Sequence, residues 1–156
     1  MDRKRTLHII WAGMVGSIAT YWVVKTLVAG TIAKPSGAGL PAQFVILLSL
    51  ATYGAAYWWL SWVSGGVAAK TTPANLPRLS PAERSQLQTR LQSALIVCLL
   101  GVETPVVYGL IHSFISEAFP HLFESLAVAS VGGLVVLRAT AFPTVFSLLD
   151  RLSGER

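Results

Sequence analysis

The sequence predicts an all-α membrane protein: four transmembrane helices in two antiparallel hairpins, with both termini on the cytoplasmic side. Three observations lead there. First, 53% of the 156 residues are hydrophobic and 12% are charged, whereas a soluble domain carries about 25% charged residues. Second, the charges are confined. Residues 6–24 and 35–69 contain no Asp, Glu, Lys or Arg, and the runs 91–118 and 125–149 each hold one charge well inside, Glu103 and Arg138. Roughly 20 helical residues cross a hydrocarbon layer about 30 Å thick, so each apolar run is long enough to span it. Third, Lys and Arg gather near one set of helix ends. A very apolar soluble core is disfavoured, because runs this long leave no polar face for water.

Helix 1 is expected over 7–29. The basic triplet Arg3-Lys4-Arg5 before an apolar stretch, with Thr31-Ile32-Ala33 after it, has a faint likeness to a signal peptide. The apolar stretch, however, exceeds the usual h-region of 7–15 residues, so it is read as a retained membrane helix. The Gly- and Pro-containing segment 30–39 ends it. Helix 2 is expected over 40–64, opened by Leu40-Pro41, with proline suited to a first turn, and closed by Gly65-Gly66. The linker up to Ser80 holds Pro73 and Pro77 and reads as extended and polar.

Helix 3 is expected over 81–118. Ser80-Pro81-Ala82-Glu83 supplies a capping serine, a first-turn proline and a glutamate at the third position, a capping box. Its first turns, rich in Gln and Arg, begin in water, and Phe119-Pro120 stops it. Helix 4 is expected over 122–149 with a short polar tail. The whole chain, 1–156, reads as one four-helix domain.

Orientation follows from the flanking basic residues. Arg3, Lys4, Arg5, Lys70, Arg78, Arg84, Arg90, Arg151 and Arg156 lie on one side, against Lys25 and Lys34 on the other. That bias places the termini and the middle linker in the cytoplasm, and a bacterial inner membrane is the expected location. The net charge of +5 is accounted for by these flanks, so nucleic acid is not an expected partner. Tyr57, Trp58, Trp59 and Trp62 cluster at the cytoplasmic end of helix 2, and Trp11 and Trp22 lie near the ends of helix 1. Tryptophan and tyrosine favour the headgroup boundary, and an interfacial belt is the ordinary cause of such a cluster. A stacking site for a quinone or pigment is the sharper alternative.

Glu103 and Arg138 are the candidate functional residues, since a charge deep in a membrane is costly and is kept for a reason. Counted from the cytoplasmic ends, Glu103 lies about 18 Å into helix 3 and Arg138 about 17 Å into helix 4. The two are therefore expected to meet as an intramembrane ion pair. Such a pair is read as a structural stitch, as a proton or ion site on Glu103, or as a polar face toward another subunit. A neighbouring arginine would hold the carboxylate ionised, which favours the stitch. Thr104 and Pro105 follow directly. Proline removes a backbone hydrogen bond and clashes with the Gly101 carbonyl, so a kink is expected there and a similar one at Pro143.

The segment from Gly101 to Ile111, with Glu103 followed five residues later by Tyr108-Gly109-Leu110, resembles the ion-binding helix of the proteolipid rotor subunit of rotary ATP synthases. That resemblance covers about eleven residues and implies that Glu103 is a proton carrier. The histidines His8, His112 and His121 are too scattered for a haem or metal centre, Cys98 is a lone cysteine expected to pack as a small hydrophobe, and no GxSxG, HExxH, P-loop or CxxC motif is present. No enzyme activity, metal or cofactor is expected. Gly13, Gly16 and Ser17 on helix 1, and Gly132 and Gly133 on helix 4, would permit close helix contact. The predicted function is a structural or accessory subunit of a larger membrane complex or homo-oligomer, embedded in the lipid bilayer. The alternatives are a proton- or ion-translocating subunit that uses Glu103, and a quinone- or pigment-associated subunit.

Overall fold

The computed structural model of the chain describes residues 3–28, 41–116 and 121–154. Four long helices occupy them: α1 (Arg3–Val28), α2 (Ala42–Lys70), α3 (Pro81–Ile115) and α4 (Leu122–Ser153), with a short 3-10 turn at Leu76–Arg78. All four are long and apolar enough to cross a membrane, and no strand occurs among the described residues. The outer surface fits that solvent. Leu27, Leu47, Trp58 and Val128 are each about two-thirds exposed or more, a surface that water would penalise and hydrocarbon does not.

α3 is the central element. It packs against α2 and α4 along its length, and α1 lies across α3 and α4 instead of pairing chiefly with α2. Within α3's most apolar stretch 44% of residues are buried, against 17% for α1. The α3–α2 and α3–α4 contacts are close because glycine sits at each crossing. A Cβ on Gly101 would lie 2.6 Å from Ala56 Cβ, one on Gly109 would lie 3.0 Å from the Phe123 backbone, and one on Gly133 would meet Val102 at 2.9 Å. With no hydrophobic force between helices in lipid, such backbone proximity is what dispersion attraction requires. Cys98 packs in this interior as a free, buried thiol.

Several boundaries differ from those expected. α2 does not stop at Gly65-Gly66 but runs on to Lys70. Two glycines cost about 1 kcal/mol each in helix propensity, and the helix passes through both with Val63 and Val67 on either side of them buried. Thr71 ends the helix instead: its N–H reaches the carbonyls of Val67 (3.0 Å) and Ala68 (3.2 Å), and its hydroxyl returns to Val67. The linker is folded, not extended. It makes the turn at Leu76–Arg78, and Arg84 Nη2 donates to the Leu76 carbonyl at 2.9 Å. α3 ends at Ile115, with Ser116 extended; the expected stop at Phe119-Pro120 and the breaker segment 30–39 lie outside the described residues. α4 continues past Leu149 to Ser153, where Gly154 at φ 76° supplies the left-handed cap.

The capping box forms as expected. The Ser80 hydroxyl accepts from the Glu83 N–H, and the Glu83 carboxylate accepts from the Ser80 N–H at 2.8 Å. Ser80→Ala is expected to cost about 1 kcal/mol, seen as faster amide exchange confined to the first two turns of α3.

Candidate functional site

The rotation of α3 sets the site. Gly101 meets α2 and Val102 meets α4, so the next residue, 100° further round, faces α1. That residue is Glu103, which is 8% exposed. Its Oε1 is met by the Ser17 hydroxyl of α1. The same Ser17 oxygen lies 2.7 Å from the Met14 carbonyl. One turn further along α1, the Tyr21 hydroxyl also addresses the Glu103 carboxyl. Two hydroxyls of α1 thus meet the carboxyl between α1 and α3.

Proton counting makes this arrangement informative. The Ser17 hydroxyl has one hydrogen and two acceptors within reach, the Met14 carbonyl and the Glu103 oxygen. The Met14 carbonyl also lies within the α1 ladder, where it accepts the N–H four residues on, so the Ser17 hydrogen is available to the Glu103 oxygen. With a proton on Glu103, its O–H donates to Ser17 Oγ, Ser17 donates to the Met14 carbonyl, and Tyr21 supplies a donor to the carboxyl. The same set therefore satisfies the carboxyl with or without its proton, as a low-dielectric interior requires.

Arg138 is not part of this set, and the expected stitch between Glu103 and Arg138 is not made. The Arg138 guanidinium lies 4.5 Å from the centre of the Trp11 ring, and Trp11 Nε1 donates to the Leu134 carbonyl at 2.9 Å. The reason is register. Val102 lies opposite Gly133, so in these antiparallel helices Glu103 is level with residue 132 and Arg138 sits six residues, or about 9 Å, away along α4. Depths counted from the helix ends missed this because α4 extends to Ser153. Among the described residues the ion pair present is Lys25–Glu124, joining the end of α1 to the start of α4. Groups this far apart with no shared partner should act independently: in a Glu103→Gln, Arg138→Met double-mutant cycle the stability changes are expected to add within about 0.5 kcal/mol.

The other predicted residues are accounted for locally. α3 continues through Pro105 as helix, with the Thr104 hydroxyl donating to the Leu100 carbonyl at 2.7 Å, and Pro143 sits on the exposed side of α4. Trp58 and Trp62 stack at 6.4 Å, and Trp59 lies 5.4 Å from Trp62. All three point outward from α2, and Arg90 covers the Trp62 ring at 5.4 Å. Tyr57 lines a cleft of about 770 Å³ between α2 and α4. Trp22 packs edge-on against Phe123. No group of His, Cys, Asp and Glu suited to a metal occurs among the described residues.

Sequence reasoning missed Ser17 and Tyr21 as partners of Glu103, having weighed Ser17 only for its size. The available signal was spacing: Ser17, Tyr21 and Lys25 recur every four residues on a helix otherwise nearly apolar, and so share one face. Comparison with protein-family models, curated proteins and solved structures finds no match for this chain.

Proposed function

We propose that this chain is a small multi-pass membrane subunit that carries a proton on Glu103, working within a larger membrane complex or an assembly of its own copies. The observation that carries the reading is a buried carboxyl, Glu103, held by the Ser17 hydroxyl of α1 and facing no cation, a setting that accommodates the group with or without its proton. No cation approaches within ion-pair distance of Glu103 among the described residues, so nothing there fixes the carboxylate in its charged form. The likeness of residues 101–111 to the ion-binding helix of rotor proteolipids points the same way. The basic flanks favour termini in the cytoplasm and a bacterial inner membrane. Gly13 and Gly16 have open space above their Cα atoms, which leaves room for a neighbouring helix.

A structural subunit is the second reading, favoured by the same hydrogen bond acting as a clamp between α1 and α3. Dicyclohexylcarbodiimide separates the two, because it reacts with carboxyls that bear a proton in apolar surroundings. The proton-carrier reading expects an adduct at Glu103, located by peptide mass spectrometry, whose yield falls as pH is raised and which vanishes in Glu103→Gln. A Glu103 that stays unlabelled at every pH would leave the clamp as the better account.

A further inference from the structure

Resting on that reading, we infer that Glu103 exchanges its proton with water at one end of the bundle only, the end where α1 finishes and α4 begins, along a lane formed by Ser17, Tyr21, Lys25 and Glu124. α1 is antiparallel to α4: Trp11 meets Leu134 near one end, and Lys25 meets Glu124 near the other. From Ser17 to Lys25 is eight residues, about 12 Å of helix. Over that length the α1 face turned toward the bundle is polar at each turn. Ser17 and Tyr21 address Glu103, and Lys25 pairs with Glu124. The second Glu124 oxygen, Oε2, is buried and has no hydrogen-bond partner. It is a buried acceptor at the Lys25–Glu124 end of the lane.

The opposite direction is closed. Leu99, Leu95 and Leu91, one, two and three turns below Glu103 on α3, are fully buried, and Met14 and Leu7 of α1 are buried with them. The next polar group that way is Arg138 on the Trp11 ring, six residues or about 9 Å from Ser17. Its fixed positive charge opposes a proton entering from that end. The titratable groups turned toward the lane are therefore Tyr21 and Lys25 from α1, Glu103 from α3, and Glu124 from α4 with His121 beside it. His112 lies nine residues from Glu103, half a turn round α3, and faces away. A site open to one side binds and releases protons without conducting them. Passage to the other side needs a second subunit or a shift of α1.

The test uses sealed membrane vesicles of the two opposite orientations, with the external pH stepped while the interior is buffered, and dicyclohexylcarbodiimide as the probe. The yield at Glu103 is expected to fall several-fold on raising external pH in vesicles that turn the Lys25–Glu124 end outward, and to stay unchanged in the others. Tyr21→Phe, which keeps the ring, and Lys25→Gln combined with Glu124→Gln, which removes the pair together, are each expected to slow that response several-fold. Labelling that follows the pH on the side of the termini, or both sides equally, overturns the lane and leaves proton carriage standing. So does an unchanged response in both variants. An unlabelled Glu103 in every vesicle overturns proton carriage and the lane with it.

Discussion

Gly101→Ala is expected to destabilise the bundle by about 1–3 kcal/mol, the usual cost of overpacking a well-packed interior. The new methyl would lie 2.6 Å from Ala56 Cβ. Neither atom has a torsion that could move it aside, so α2 and α3 must separate. A larger residue, as in Gly101→Leu, should prevent the native packing. Thermal unfolding in detergent measures the effect, and two further variants assign its cause. Ala56→Gly combined with Gly101→Ala should recover most of the loss, because the pair restores the space. Gly13→Ala should be harmless, since nothing lies within 4 Å of its added methyl, and alanine is the better helix former by about 1 kcal/mol. A neutral Gly101→Ala would show that α2 and α3 do not touch there.

The second large effect belongs to Ser17. Removing its hydroxyl leaves the Glu103 carboxyl without the partner at Oε1, on a residue that is only 8% exposed. An unsatisfied buried polar group costs about 1–3 kcal/mol, so Ser17→Ala should lower stability by that amount and Ser17→Thr should restore it. Glu103→Gln is the informative companion. An amide N–H₂ donates to Ser17 Oγ as a protonated carboxyl does, leaving Ser17 free to donate to the Met14 carbonyl. Glu103→Gln should therefore fold with nearly wild-type stability while losing all carbodiimide reactivity. If Ser17→Ala were neutral and Glu103→Gln costly, the hydrogen-bond set would be wrong.

Much of the fold was legible because bilayer thickness imposes it. Four uncharged or nearly uncharged runs of spanning length can hardly be anything else, and the capping box at Ser80 and Glu83 set the start of α3 to the residue. Ends without a cap were harder to place. Gly65-Gly66 reads as a stop, yet the helix runs through both glycines to the cap that Thr71 provides. Glu103 stood out as a candidate site because an isolated charge in an apolar run is conspicuous. Its partner did not, because depth alone does not choose between neighbours. Arg138 was placed by counting inward from an assumed helix end, and a shift of a few residues at Leu149 carried it more than one and a half turns from Glu103. Register along α4, together with the rotation of α3, decided the matter, and both depend on glycines 101, 109 and 133, whose role emerges only once the helices are packed.

The most direct test of the central claim is an infrared difference spectrum of the protein in lipid as pH is raised. Proton carriage predicts a carboxylic-acid C=O band that is present at low pH, bleaches on titration as carboxylate bands appear, and is missing in Glu103→Gln. A spectrum in which no titrating carboxyl band depends on Glu103 would contradict it.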